Sequence, residues 1–210
     1  MDRAEGINLI RGVLQHLLNL ITVPSCVTHN NDNSLDVEYV RNIIVHDYNS
    51  NEIARDLFDD KMKRSYERSP KLKSKTFARY REVQVGGQDT AIVQANRTRY
   101  NRVMRGVASA LYFHEFGKRF TYHWNVHPAT MLSEGKAFYD LPDELTPRMN
   151  ELLRSVPVAD RDTNQPDVFK YGLYRKDQDA AVYRLVFYGG VEVFVYGLPP
   201  EYQERQYCIP

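Results

Sequence analysis

The sequence has only two cysteines, Cys26 and Cys208, among its 210 residues. Two cysteines are too few for a disulfide framework, so a reducing, cytoplasmic setting is the expectation. No apolar run is long enough to cross a bilayer, and the acidic Asp2 and Glu5 argue against a signal peptide. We therefore expect no membrane partner.

The chain also has no excess of charge of either sign. It carries 28 basic and 27 acidic residues, for a net charge of +1. Attraction to nucleic acid would therefore have to come from a local patch. The hydrophobic fraction is 42%, and 15 tyrosines and 9 phenylalanines make the chain rich in aromatic residues. This is enough for the packed core of one domain, or of one domain with a small appendage.

Apolar residues recur at helical spacing mainly in the first 118 residues. Ser34 is the predicted N-cap of one helix, and Ser50 or Asn51 that of the next. Gly117 is the predicted stop of the longest helix. The helices are predicted over residues 7–17, 34–48, 51–67, 69–83 and 96–118.

Each predicted helix should bury one apolar face. His114 falls on such a face, so we expect a core or semi-buried histidine rather than a catalytic group beside Glu115. His123 and His127 are expected in a loop or strand, because Pro128 disfavours a helix there. The residues expected on the buried faces are Leu35, Tyr39, Ile43 or Ile44, Tyr48, Ile53, Leu57, Phe58, Met62, Val103, Val107, Leu111 and His114.

Strand-forming segments lie mainly at the C-terminal end. "DVFKYGLYRKD", "AAVYRLVFYGG" and "VEVFVYGLP" are rich in β-branched and aromatic residues and are separated by turns, which predicts an antiparallel meander. A Gly-Gly turn in "VQVGGQDTAIVQ" predicts a hairpin. "RFTYHWNVH" and "LITVPS" are predicted short strands, the latter ended by Pro24.

Together these elements predict the α+β class. The expected order is an N-terminal helical part with a residual strand, knuckle and helix, then a long central helix, then the meander. One further helix is expected near 147–155. We expect a division into residues 1–82 and 83–210, or one continuous domain. The oligomeric state is left open.

The stretch "NLITVPSCVTHNND" holds a Cys-x-x-His element, Cys26 to His29. Thiolate and imidazole are zinc ligands, but a closed structural zinc site needs four ligands and this element supplies two. The alternative is a small buried thiol and a surface imidazole with no ligand role. The polar run at 30–33 is either part of a metal site or a solvated turn that caps the next helix.

With "DVEYVRNII", this stretch resembles the second half of the HNH endonuclease motif, a ββα-metal motif. "ARDLFDDKMKRSYERSP", "RYNRVMRGVASALYFHEFGKR" and "YRLVFYGGVEVFV" follow in the order expected of bacterial HNH-like proteins with a C-terminal extension. The resemblance covers Asn19 to about Val195. It implies hydrolysis of DNA phosphodiesters with a divalent cation such as Mg²⁺, together with a structural zinc.

The resemblance assigns roles to four residues. Asn19 matches the asparagine that orients the histidine-bearing loop, and Asn30 matches a position on the metal side. Cys26 and His29 match the second pair of a zinc knuckle. His29 is also a candidate beside Asn30, and these two roles of His29 compete. The implied catalytic residues are Asn19, His29 and Asn30, and the implied metal ligands are Cys26 and His29.

The first half of the motif, with its cysteine pair and general-base histidine, should precede Asn19. The eighteen residues there contain no cysteine, and their one histidine, His16, follows Gln15. We therefore expect an N-terminally incomplete chain in which hydrolysis is weak or lost, since a general base contributes roughly a hundredfold or more. The alternative is a non-catalytic protein that binds nucleic acid or another protein.

A basic segment runs from Arg64 to Arg81, over the end of the predicted helix 51–67 and the predicted helix 69–83. It predicts contacts to phosphates, with Tyr66 and Tyr80 available to stack on bases. The alternative is a solvated helix face. The candidate nucleic-acid-binding residues are Arg64, Arg68, Lys71, Lys73, Lys75 and Arg79.

Overall fold

A computed structural model describes residues 27–47, 49–77, 80–85, 88–129, 155–157, 165–176 and 180–199. The fold belongs to the α+β class, as the sequence predicts. The helices are α1 (Val27–Val45), α2 (Glu52–Leu57), α3 (Lys63–Arg68), α4 (Pro70–Thr76) and α5 (Arg97–Phe116), and a π-helical turn, Phe58–Met62, joins α2 to α3. The strands are β1 (Tyr80–Val85), β2 (Gln88–Val93), β3 (Trp124–Pro128), β4 (Phe169–Lys176), β5 (Ala180–Phe187) and β6 (Val191–Gly197).

The described part of α1 already runs from Val27, ahead of the predicted start at Ser34. The predicted cap at Ser34 is therefore wrong, as is the alternative of a solvated turn at 30–33. Asparagine, aspartate and serine favour caps and turns, which is why the sequence indicated a turn. Extending a helix that is already nucleated costs little per residue, so the packed part of α1 can carry these polar residues in helical form.

The predicted buried face of α1 is confirmed at Tyr39, Ile43 and Ile44 but is wrong at Leu35, which is 68% exposed. One position along a helix turns a side chain by about 100°, and the neighbouring Asp36 is the residue that faces inward. Tyr48 lies outside the described residues. The buried stripe has the spacing i, i+3, i+4, i+7, i+8 and consists of Asp36, Tyr39, Val40, Ile43 and Ile44.

The predicted cap of α2 is confirmed at Asn51. Its side-chain oxygen accepts a hydrogen bond from the Ala54 backbone N–H at 3.3 Å. Ala54 is fully buried, whereas the predicted core residue Ile53 is 43% exposed. Met62 is buried as predicted, and the predicted Leu57 and Phe58 pack against the core.

The predicted helix over 69–83 is wrong beyond Thr76, where α4 ends. Residues from Tyr80 onward form β1, which pairs antiparallel with β2 and places Val85 opposite Gln88. This confirms the predicted hairpin. Cross-strand pairing satisfies the backbone groups of this β-branched segment, which outweighs its weak helical periodicity.

The ends of α5 are the predicted ones. Asn96 caps the start by accepting a bond from the Arg99 N–H at 3.1 Å. Gly117 ends the helix in the left-handed conformation, with φ of 65°, and its N–H donates to the Phe113 carbonyl at 2.8 Å. Glycine adopts this conformation without the steric penalty of a Cβ atom.

The buried face of α5 is turned from the predicted one. Of the predicted residues, Leu111 is buried and Val103 and Val107 are partly buried. His114 is exposed, so the prediction that it is a core or semi-buried histidine is wrong. The larger side chains of Met104 and Tyr112, one position along from the predicted Val103 and Leu111, are buried as well. The buried residues of α5 are Tyr100, Met104, Ala108, Leu111 and Tyr112.

The predicted C-terminal meander is confirmed, and β3 completes a four-stranded antiparallel sheet in the order β3-β6-β5-β4. One hydrophobic cluster includes residues of α1, α5 and the sheet, on both sides of residue 82. On the opposite face of the sheet His127 and Phe194 are buried, and Arg184 pairs with Glu192 at 2.7 Å. The predicted helix at 7–17, the strand "LITVPS" and residues 147–154 lie outside the described residues.

Candidate nucleic-acid interface

The residues implied by the HNH resemblance are only partly described. Asn19 and Cys26 lie outside the described residues, as does Arg79 of the basic segment. The backbone of His29 and Asn30 forms the third and fourth residues of α1. Within the part of the chain that the structure describes, no three His, Cys, Asp or Glu side chains group as metal ligands would.

Four predicted basic residues are exposed: Arg64, Arg68, Lys71 and Lys73. The Arg64 guanidinium donates to the Asp60 carboxylate and backbone carbonyl one turn earlier, which compensates its charge. Over the described ranges, the structure gives no ion pair for the other three. Lys75 belongs to α4 by its backbone. Positive charge without a described ion-pair partner therefore begins with Arg68 at the end of α3 and continues with Lys71 and Lys73 in α4.

Tyr66 does not take part in this exposed surface. The prediction that it stacks on bases is wrong, because the side chain is only 7% exposed. Its ring packs instead against Phe77 and His46, with ring centroids 5.7 and 5.9 Å away. Helical spacing puts Tyr66 on the side of α3 that faces α1. Tyr66 therefore cannot stack on bases beside the exposed basic residues. The side chain of Tyr80, the other predicted stacking residue, lies outside the described part of the structure.

His46 occupies an aromatic pocket at the end of α1. Phe58 and Phe77 contact its ring edge to face at 4.5 and 4.9 Å. Its Nδ1–H donates to the Asn42 carbonyl at 2.6 Å. The Nε2 atom is buried and has no hydrogen-bond partner among the described residues. Burial lowers the pKa of His46 from 6.5, and the bond to Asn42 opposes this effect.

We expect His46 to make stability depend on pH. As the pH falls below 6.5, the unfolded chain takes up a proton here before the folded chain does, so stability declines until the folded pKa is reached. The slope approaches about 1.4 kcal/mol per pH unit. Burial raises the pKa of nearby Tyr66, which stays neutral in this range. Burial also raises the pKa of Asp47, which acts at lower pH and in the opposite direction.

Urea unfolding from about pH 8 to about pH 5 measures this contribution. The variant His46→Phe keeps an aromatic ring in the pocket and should lose this part of the pH dependence. An identical decline in the wild type and in His46→Phe would show that another group is responsible.

The sequence interpretation missed a second basic surface, on α5. The signal was present in "RTRYNRVMR": the helix carries four arginines and no acidic residue before Glu115. Two of the four bind α1. Arg99 Nε and Arg102 Nη1 donate to the two carboxylate oxygens of Asp36 at 2.6 and 2.7 Å.

The Asp36 contacts belong to a wider α1–α5 junction. Arg99 also donates to the Leu35 carbonyl at 2.6 Å, and its guanidinium lies 4.2 Å from the centroid of the Tyr39 ring. The Tyr39 hydroxyl accepts a bond from the Asn96 N–H at 2.7 Å. Asp36 therefore holds the start of α5 and has a structural role.

No helix within the described ranges is both long and apolar enough to span a membrane. No protein-family model matches the chain, and comparisons with curated proteins and with solved structures give no match. The likeness to HNH endonucleases thus rests on the sequence segments alone, and no family can be assigned.

Proposed function

We propose that this chain binds nucleic acid through its phosphates, using the basic surface formed by Arg68, Lys71 and Lys73. Lys75 and Arg79 extend this surface along the sequence. The observation that carries the proposal is that α4 has exposed lysines and no acidic residue. Phosphate contacts of this kind supply most of the affinity of non-specific nucleic-acid binding.

The arrangement favours contact with the backbone over recognition of bases. Lys71 and Lys73 are two positions apart on the short helix α4, so their long, flexible side chains must reach round the helix to contact one array of phosphates. Both are free to follow a flexible or curved array of phosphates. Base recognition needs stacking side chains or rigid hydrogen-bond donors, and Tyr66 is buried in the pocket of His46. We therefore expect strong dependence on salt and little dependence on base sequence.

The variant Lys71→Gln/Lys73→Gln should weaken binding of duplex DNA by roughly ten- to a hundredfold near physiological salt. Each lost phosphate contact should make the slope of log K against log salt less negative by about 0.9, so the pair should change it by about 2. Fluorescence anisotropy of a labelled duplex over a salt series measures both quantities.

A matched control is Arg55→Gln/Arg119→Gln, which removes two exposed positive charges elsewhere. This variant changes net charge equally and should leave the slope close to that of the wild type. Equal losses of DNA affinity in the two variants would mean that the net charge of the chain, and not the basic surface of Arg68, Lys71 and Lys73, drives binding. Absence of DNA or RNA binding at low salt would contradict the proposal itself.

A second proposal follows from the HNH resemblance. The observations in its favour are the sequence segments that carry the resemblance, and the backbone of His29 and Asn30 lies within α1. A divalent cation such as Mg²⁺ held there would stabilise charge on a phosphodiester, and Cys26 with His29 would hold zinc. Because Cys26 and His29 supply only two of the four ligands of a closed zinc site, we propose that hydrolysis by the residues of this half-motif is weak or lost.

Plasmid cleavage with Mg²⁺, Mn²⁺ or Ni²⁺ tests this second proposal. Any cleavage should disappear in the variant His29→Ala/Asn30→Ala, and cleavage that survives would rule out these residues as the site. Metal analysis of the purified chain is a separate test, because stoichiometric zinc would require two further ligands beyond Cys26 and His29. A cytoplasmic location is part of both proposals, and cell fractionation would check it.

A further inference from the structure

The His46 ring joins the end of α1 to three other parts of the helical region. His46 directly follows the last residue of α1. Its ring contacts Phe58 of the π-helical turn, Tyr66 of α3 and Phe77, which directly follows α4, with centroid distances of 4.5, 5.9 and 4.9 Å. Tyr66 and Phe77 also contact each other edge to face at 5.7 Å. One imidazole therefore connects both α3 and the end of α4 to α1.

The pocket suits a neutral imidazole. The Nδ1–H group donates to the Asn42 carbonyl at 2.6 Å, and Nε2 is buried with no hydrogen-bond partner among the described residues. Protonation would add a second N–H group, at Nε2, and a buried donor without an acceptor is unfavourable. The faces of aromatic rings attract a cation, but they replace only part of the hydration that it loses.

The charged groups on the elements around this pocket have other partners or are exposed. The Asp47 carboxylate accepts from the backbone and side-chain N–H groups of Asn49, both at 2.9 Å. Two other carboxylates have a basic partner about one turn away on their own helix, and these pairs are Glu38 with Arg41 and Asp60 with Arg64. The exposed charged residues that follow on the π-helical turn, α3 and α4 include Asp59, Lys63, Glu67, Arg68, Lys71 and Lys73.

The helices beyond the π-helical turn have a firm anchor only where α2 begins. The Asn51 backbone N–H donates to the Tyr188 carbonyl at 2.9 Å, and its side-chain amide donates to the Asp167 carbonyl at 2.8 Å. The π-helical turn then separates α2 from α3, and such turns are frequent at functional sites. Among the described residues, every ring contact of α3 and Phe77 with α1 involves His46.

We propose that His46 is an acid-sensitive switch, whose protonation releases α3 and α4 from α1 while α5 and the four-stranded sheet stay folded. Burial lowers the pKa of His46 in the closed form, whereas the opened form regains an imidazole with a pKa near 6.5. Opening therefore becomes more favourable as the pH falls below 6.5, by up to about tenfold per pH unit, until the pKa of the closed form is reached.

The released segment carries Arg68, Lys71 and Lys73. Acid should therefore also disrupt the basic surface and weaken DNA binding, and this consequence rests on the proposed function. The opening itself does not depend on that function.

Hydrogen exchange of the full chain at about pH 7.5 and about pH 5.5, corrected for the intrinsic exchange rates, tests the opening. Protection of residues 63–77 should fall by up to about tenfold in acid, and protection of α5 and β5 should not change. His46→Phe should remove this change, and the Asn42 carbonyl keeps the His46 backbone N–H as a partner at 3.3 Å. His114→Gln, which replaces an exposed histidine, is the matched control and should behave as the wild type does.

An NMR titration of the His46 imidazole in the wild type needs no variant, and its pKa should lie below 6.5. A pKa of 6.5 or above would overturn the switch, as would a uniform loss of protection over the whole chain or an equal loss in His46→Phe.

DNA affinity at constant salt tests the consequence for the basic surface. Relative to His46→Phe, the wild type should lose affinity between about pH 7.5 and about pH 5.5. Acid-dependent exchange with no such difference in affinity would overturn the effect on the basic surface. Absence of DNA binding at every pH would contradict the proposed function, and the exchange measurement would still decide whether the switch exists.

Discussion

Gly190→Ala is expected to destabilise the fold by about 3 kcal/mol or more. A Cβ atom at this position would lie 2.0 Å from the backbone carbonyl oxygen of Asn49, far inside contact distance. Neither the turn that holds Gly190 nor the backbone of Asn49 can easily move. The Asn49 N–H is bound to the Asp47 carboxylate at 2.9 Å, and the Asn51 N–H donates to the Tyr188 carbonyl in the same β5–β6 turn at 2.9 Å. Urea denaturation measures the loss.

Gly106→Ala is the matched control, and its expected effect has the opposite sign. A Cβ atom there meets no atom within 4 Å, and the residue is exposed inside α5. Alanine is a better helix former than glycine, so we expect a gain of about 0.5–1 kcal/mol. Near-neutral behaviour of Gly190→Ala would show that the turn does not approach Asn49 as closely as described.

Asp36→Ala is the second large effect, with an expected loss of about 2–3 kcal/mol. The nearly buried carboxylate accepts from both Arg99 and Arg102, and its removal leaves two adjacent guanidiniums without a counter-charge. Breaking a fully buried pair costs about 3–5 kcal/mol. The expected loss is smaller because the arginine side chains are 28% and 55% exposed. Urea denaturation again measures it.

The pair of Asp60 and Arg64 provides the contrast. Both side chains are mostly exposed, so Asp60→Ala should cost no more than about 1 kcal/mol. A double-mutant cycle of Asp36 with Arg99 isolates the buried interaction, and the coupling should exceed that of Asp60 with Arg64. Equal costs for Asp36→Ala and Asp60→Ala would contradict the proposed role of the α1–α5 junction.

Much of the fold could be predicted because its signals are local. Asn51 and Asn96 cap helices by bonding to N–H groups three residues ahead, and Gly117 stops α5 because it tolerates a positive φ. The alternating strands at the C-terminal end determine the meander in the same way. The capping bonds join residues within about four positions, and the meander pairs strands that follow one another directly along the chain.

The candidate site could be predicted only in part. The exposed charges of Lys71 and Lys73 follow from composition, since lysine is seldom buried. The burial of Tyr66 does not, because it depends on a pocket formed with His46 and Phe77. A helix of this kind can turn either side inward, and the neighbouring elements decide which one.

The sequence by itself determined the α+β class, the cap at Asn51, the stop at Gly117 and the C-terminal meander. Only the tertiary structure decided that α1 buries Asp36 and exposes Leu35, and that Arg105 binds the Trp124 carbonyl, nineteen positions later. The physical reason is that caps and turns are closed by hydrogen bonds within one short segment. Burial and charge clustering are instead set by the surface that a distant segment presents.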